Sequence, residues 1–266
     1  MLIMNGEMRR QFLKDYSRIR RAEGRGSPDP EYYRALPYRD TTGKNSAQWA
    51  IRAKSYRYFE ERVLPAIEKE AGRPLDILDL GAGNGWMSYR LTLRKHYPVA
   101  LDIFADQSDG LRAVRYYPIP FPCIEAEFDR LPFDDASFDL AIYNSSLHYS
   151  TDYRRTLTEV RRCLRRTGRF AIVDSPVYKL PEHGEQMRAE RHEQFERQYG
   201  FRSDAVPSIE FFDEAMLCRL GRELNIEWTR TRAWYGLSWA LRPLKARLRM
   251  RRPPSQFLIL TGRFRD

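Results

Sequence analysis

The chain has 266 residues, enough for one full α/β domain with an extension. Hydrophobic residues at 42% and charged residues at 31% are the proportions of a globular protein, and no stretch approaches the roughly 18 apolar residues of a membrane-spanning helix. The net charge of +10 is local: Arg230, Arg232, Arg242, Lys245, Arg247, Arg249, Arg251, Arg252, Arg263 and Arg265 fall between Trp228 and Arg265 with no acid among them. The remainder is balanced, which argues against a general nucleic-acid binder and for a local anionic partner.

In chain order, the run Met1–Met4 is too short for a secretory leader, and polar residues follow it at once. Residues 1–45 read as an irregular extension, with Gly24-Arg25-Gly26-Ser27-Pro28-Asp29-Pro30 a loop. Ser46 then N-caps a helix whose apolar stripe is Trp49, Ala53, Tyr56, Phe59 and Val63. Pro65 ends or restarts that helix, and Gly72-Arg73-Pro74 closes it. The rhythm changes here, dividing an N-terminal helical extension or lid, residues 1–70, from a domain over residues 71–266. In the domain, strands are expected at Leu75–Leu80, Pro98–Ile103, 138–143, Phe170–Asp174 and Gln256–Thr261. Helices are expected at Trp86–Lys95, Asp152–Arg165, Leu180–Tyr199 and Asp213–Leu224. This alternation is that of an α/β fold with a largely parallel sheet covered on both faces.

The motif with the most chemistry is Asp79-Leu80-Gly81-Ala82-Gly83-Asn84-Gly85-Trp86, joining the first strand of the domain to a helix. Glycines there let the backbone turn tightly and bring bare main chain to a ligand, while the helix directs free N–H groups at it. The spacing is G-x-G-x-G, and Trp86 stands where a dinucleotide fingerprint has its third glycine, which disfavours a nicotinamide or flavin. Asp79, at the strand end, suits an ammonium group, which a dinucleotide pyrophosphate lacks. The plain alternative is a tight strand-to-helix turn. Asp102 ends the second strand about twenty residues further on, where a carboxylate can accept both hydrogen bonds of a ribose diol.

On the glycine loop and its acids the sequence resembles the class I S-adenosylmethionine-dependent methyltransferases, especially the small-molecule group that includes quinone-biosynthesis methyltransferases. The resemblance covers about residues 75–175 and continues more loosely to the end. It implies a Rossmann-like sheet of seven mostly parallel strands with helices on both faces, and S-adenosyl-L-methionine as cofactor. It also implies that Gly81, Ala82, Gly83, Asn84 and Gly85 wrap the methionine part while Asp79 holds its amino group. Asp102 would meet the ribose, and Ile103 would also line the cofactor. Glu127, four residues before Leu131-Pro132-Phe133, would meet the adenine amino group with Phe128 against the ring, Asp129 or Glu125 being alternatives. Asn144 and Ser145, at the end of the fourth strand, would line the cofactor.

His148 reads two ways: as a general base for a hydroxyl or amine, or as a packing histidine at a strand–helix junction. The histidines are scattered, and Cys123, Cys163 and Cys218 are odd in number and far apart. Neither a metal set nor a disulfide framework is expected, and a reducing cytosol fits best. Trp49, Arg52 and Tyr56 are candidates to lid the cofactor or the acceptor, and Asp174, Tyr178 and His183 leave the fifth strand toward the same side.

The segment near 234–252 sets Leu241, Leu244 and Leu248 among Arg242, Lys245, Arg247 and Arg249, after Trp234 and Trp239. It reads as an inserted helix with leucines in the core, as a peripheral contact on an anionic membrane, or, less favoured, as a nucleic-acid site. The function expected is methyl transfer to a small-molecule or lipid-like acceptor by a cytoplasmic protein, with peripheral contact at an anionic membrane as one option. An RNA methyltransferase using the basic segment and a non-catalytic cofactor-binding module are the alternatives.

Overall fold

The computed structural model describes residues 6–200 and 208–265; the Met1–Met4 run lies outside them. Where the sequence suggests an irregular stretch up to residue 45, the chain forms two helices, α1 (Gly6–Ala22) and α2 (Pro30–Ala35). In α1, Phe12, Tyr16 and Arg20 recur every fourth residue and therefore share one face. α2 starts on a cap and a proline: Asp29 accepts the Glu31 N–H at 2.9 Å, and Pro30 occupies the first turn.

α3 (Ser46–Tyr58) begins one residue from the expected cap, with Asn45 at the N-cap position, and runs through a π-helical turn (Phe59–Val63) into α4 (Leu64–Ala71). Trp49, Tyr56, Phe59 and Val63 are all buried. Pro65 restarts the helix, and Gly72 ends it in the left-handed region, at φ 64°.

The strand–helix alternation then begins with β1 (Asp76–Leu80), α5 (Trp86–Leu93), β2 (Tyr97–Asp102), β3 (Cys123–Glu125) and β4 (Phe138–Asn144). It continues with α6 (Tyr153–Cys163), β5 (Leu164–Val173), β6 (Pro176–Tyr178), α7 (Pro181–Tyr199), β7 (Phe212–Asp213) and α8 (Glu214–Glu223). It closes with β8 (Ile226–Arg232), α9 (Leu237–Ala240), α10 (Arg242–Leu248) and β9 (Gln256–Phe264). Asp152 and Asp213 cap α6 and α8 by accepting the N–H groups of Arg155 and Met216.

β3, β2, β1, β4 and β5 are parallel in that spatial order, with β9 antiparallel to β5 and β8 antiparallel to β9. The sheet has nine strands, against the seven expected. The two extra strands are short: β6 resumes along β9 after β5 breaks off at Asp174, and β7 pairs with β6. β5 also starts earlier than Phe170. The stretch Arg166-Thr167-Gly168 lies inside it, where the register with β4 shifts between Phe138 and Leu140.

β1 and β4 are buried along nearly their whole length, as central parallel strands are. Their residues alternate between two cores. Leu78, Leu80, Ala141 and Tyr143 pack with Leu157 and Val160 of α6 and Leu217 of α8. Ile77, Leu140 and Ile142 face the other side, with Tyr33, Trp49, Tyr56, Leu64 and Trp86. α2, α3 and α4 therefore share a core with the sheet. None of the helices among the described residues is long and apolar enough to cross a membrane.

Candidate functional site

The carboxyl ends of β1, β2 and β4 lie side by side, with Leu80 opposite both Leu101 and Tyr143. Open α/β sheets bind ligands at this edge. A cavity there is lined by Asp79, Gly81, Ala82, Gly83, Asn84, Asp102, Ile103, Glu127, Phe128, Asn144 and Ser145. Of the residues singled out in the sequence for cofactor contact or catalysis, Gly85 and His148 are not on its wall.

The glycine loop is held to the neighbouring strand by its backbone: the N–H groups of Gly81 and Ala82 both donate to the Leu101 carbonyl, at 2.8 and 3.0 Å. Gly81 is left-handed, at φ 72°, and a side chain on it would collide with Ser146. Gly85, at φ 77°, is the N-cap of α5, and a Cβ there would lie 2.9 Å from Val114 and 3.0 Å from Phe121. Gly85 therefore serves close packing behind the cavity rather than its lining.

Two carboxylates define the polar character of the site. Asp79 is fully buried; its Oδ2 accepts from Ser88 Oγ at 2.7 Å, whereas Oδ1 has no partner. Burial pushes its carboxyl up to about 7, opposed by the hydrogen bonds from Ser88 and raised further by the nearby Asp102. Asp102 accepts the N–H of Gly83 at 2.8 Å on one oxygen and that of Phe104 at 2.9 Å on the other. Burial also raises this carboxyl, against the pull of those backbone donors. A third buried acceptor, Oδ1 of Asn144, is without a partner.

Among the three acids near Leu131-Pro132-Phe133, Glu127 lines the cavity. Glu125 pairs with Arg9 at 2.8 Å, and Asp129 accepts from Thr156 Oγ1 at 2.6 Å. Phe128 meets Tyr143 edge-on, with ring centroids 5.5 Å apart.

The opposite wall comes from the N-terminal helices. Phe12, Tyr16 and Arg20 of α1 and Trp49 and Arg52 of α3 all line the cavity, as does Asp109. Arg20 forms an ion pair with Asp109 and lies over the Tyr16 ring at 5.4 Å. Arg52 lies over the Trp49 ring at 5.0 Å, reaches Ser145 Oγ at 3.4 Å, and forms no ion pair with any described residue. Burial and the positive charges of Arg25 and Arg20 lower its basicity. Sequence reasoning missed Phe12, Tyr16, Arg20 and Asp109; the four-residue spacing in α1 was the available signal.

His148 is buried directly behind the wall. Its Nδ1 is 3.3 Å from Ser175 Oγ, and its ring tilts against Tyr149, which does line the cavity. Burial pushes the imidazole down to about 3, helped by the charges of Arg191 and Arg52, so it is neutral at physiological pH.

Asp174, at the left-handed φ of 54°, is buried, accepts from Ser55 Oγ and leaves Oδ2 unpartnered. Tyr178 and His183 line a second, separate cavity with Trp239 and Phe257, and Tyr56 packs against Trp86 in the core. No group of three or more metal-type ligands occurs among the described residues.

Residues 78–172 match the family described as a methyltransferase domain. Over 163 residues the chain is 30% identical to the malonyl-[acyl-carrier protein] O-methyltransferase of Geobacter sulfurreducens, covering 60% of this chain and 53% of that protein. It is 34% identical to the 2-phytyl-1,4-naphtoquinone methyltransferase of Trichormus variabilis over 116 residues, 41% of this chain and 51% of that one. The matched segments thus span about half the length of these relatives. Among solved structures, a Burkholderia thailandensis 1,6-didemethyltoxoflavin-N1-methyltransferase with bound S-adenosylhomocysteine aligns at TM-score 0.52 and 20% identity, covering 90% of this chain and 92% of that one. A Pyrococcus horikoshii protein aligns at TM-score 0.53 and 20% identity, covering 88% and 99%. At these identities the structural matches establish the fold.

Proposed function

We propose that this chain, which carries a methyltransferase domain over residues 78–172, transfers a methyl group from S-adenosyl-L-methionine to a small-molecule or lipid-like acceptor. The observation that carries this reading is the buried Oδ1 of Asp79, without a partner in a cavity that also holds the glycine loop and Asp102. A buried carboxylate oxygen of this kind calls for a cation or a proton. An amino acid ammonium supplies the cation, and a dinucleotide pyrophosphate would instead repel the carboxylate.

The residues present fit that cofactor end to end. Asp79 faces the ammonium and Arg52 offers its unpaired guanidinium to the carboxylate. Asp102, held by backbone donors, would accept from the ribose diol, and Glu127 and Phe128 would flank the base. When bound, S-adenosylmethionine supplies a methyl group on a positively charged sulfur, already electrophilic. The protein's main contribution is then positioning and exclusion of water. α1 and the aromatic residues Trp49 and Trp86 close the site from above. His148, held neutral and behind Tyr149, acts on the position of that ring rather than as a strong base.

Calorimetric titration with S-adenosylmethionine, S-adenosylhomocysteine and NAD tests the cofactor half. Micromolar binding of the first two and none of the third is expected; the reverse order would end the proposal. The transfer half is tested by formation of S-adenosylhomocysteine with acceptor panels that include thioester-linked carboxylates and prenylated quinones, the chemistries named for the two relatives.

A further inference from the structure

The leucines of the basic segment face outward. Leu237, Leu241, Leu244 and Leu248 fall at helical spacing along α9 and α10, and they are 73%, 45%, 54% and 76% exposed. The two helices are nearly one: Leu241 donates its N–H to Leu237 and Lys245 donates to Leu241 across the junction. Met250, just beyond, is 96% exposed, and Trp234 stands out at the other end. The reading that puts these leucines in the core is thereby overturned.

The cations beside them differ from those in the rest of the segment. Arg230, Arg252, Arg263 and Arg265 are paired with Glu214, Glu190, Glu70 and Glu227. The side chains of Lys245, Arg247, Arg249 and Arg251 make no hydrogen bond or ion pair with any described residue. An apolar stripe rimmed by unpaired charge of one sign marks an interaction surface.

The root of this helical segment is anchored. Lys54 Nζ donates to the Tyr235 carbonyl at 2.7 Å, and Arg242 stacks 3.5 Å over the Trp239 ring and donates to the Ser255 carbonyl at 2.6 Å. Trp239 in turn packs on Phe257. The outward face is therefore presented by a fixed support on α3, the helix that carries Trp49 and Arg52.

We propose that the α9–α10 segment docks this protein on the surface of an anionic lipid bilayer, with its leucines among the acyl chains and Lys245, Arg247, Arg249 and Arg251 at the headgroups. A stripe of exposed leucines with unpaired cations of one sign interleaved along it suits a diffuse anionic plane. The inference concerns the surface alone and does not depend on what the cavity binds.

The test is flotation of the full chain with vesicles of phosphatidylcholine containing phosphatidylserine, against phosphatidylcholine alone. Binding to the anionic vesicles only, weakening as salt is raised, is expected. The triple variant R247Q/R249Q/R251Q should bind about a hundredfold more weakly, and L241S/L244S/L248S at least about tenfold more weakly. Both should keep the wild-type unfolding midpoint and cofactor affinity, since the altered side chains lie outside the core. Three results would overturn the proposal. One is absence of wild-type binding to anionic vesicles at low salt. Another is binding to single-stranded polyuridylate at least as tight as to vesicles and indifferent to the leucine changes, which assigns the face to nucleic acid. The third is a dimer lost in the leucine variant without any vesicle binding, which assigns it to a second copy.

Discussion

Asp79 binds its proton more tightly in the folded chain than an aspartate in water does, because burial disfavours the charged form and one oxygen lacks a donor. With the folded value about 7 and the ordinary value 3.8, the native state holds more protons than the unfolded state between those limits. Its contribution to the stability of the ligand-free protein is therefore greatest near pH 4 and falls as pH rises toward 7, by up to about 1.4 kcal/mol per pH unit. D79N should remove that slope, since an amide oxygen can still accept from Ser88 and carries no charge. The difference between wild-type and D79N unfolding free energies across pH 4–8 is the measurement; parallel curves would show that Asp79 is ordinary. The same variant should lose cofactor binding, because the ammonium then faces a neutral group. In the wild type below pH 7, cofactor binding should release a proton, seen as a buffer-dependent heat of titration.

Asp102 has a different part at the same scale. Its two backbone donors hold it in place whether or not a ligand is present, so D102A should lower cofactor affinity about ten- to hundredfold, the worth of charged hydrogen bonds of about 1.5–3 kcal/mol. Calorimetry on the variant reads this directly; unchanged affinity would remove Asp102 from the ribose position.

At the scale of elements, the parts legible in the sequence are those whose signal is local. The run Asp79–Gly85 encodes its own turn through glycines at left-handed positions, and the apolar runs of β1 and β4 announce buried parallel strands. α1 was missed although Phe12, Tyr16 and Arg20 recur every fourth residue, because the loop signal at Gly24–Pro30 colours the whole region before it. β8 was missed for a related reason: Glu227, Arg230 and Arg232 interrupt a strand that is largely exposed, so it reads as part of a basic run. The stripe of leucines in α9 and α10 shows the complementary limit. Periodicity tells which residues share a face, and only packing tells whether that face looks to the core or to solvent.

α1 itself makes a testable element. Arg20 is its electrostatic anchor: Asp109 is 4% exposed, and the guanidinium is the cation it pairs with. R20M should leave a buried carboxylate uncompensated and cost about 3–5 kcal/mol of stability. R20M/D109N, which removes both charges, should recover most of that loss. Failure of the double variant to recover, in denaturant unfolding, would show that α1 is held by Phe12 and Tyr16 instead.

Across the whole molecule, the cavity is where two kinds of structure meet: strand ends of the parallel sheet below, and α1 and α3 from the first seventy residues above. A ligand that bridges them binds the assembled fold and has no site in the unfolded chain, so its binding free energy adds to the stability of the whole chain. At a free concentration of about a hundred times its dissociation constant, S-adenosylmethionine should stabilise the protein by about 2.7 kcal/mol, a rise in Tm of roughly 5–10 °C for a chain of this size. NAD at the same concentration should leave Tm unchanged. The rise should vanish in D79N and shrink in D102A, and the leucine-to-serine variant of the α9–α10 segment should show it in full. Were that variant to lose the rise along with D79N, the surface segment and the cavity would be one cooperative unit. A full rise instead means that the docking face and the cofactor site are energetically separate, joined only by the contacts that α3 makes with both.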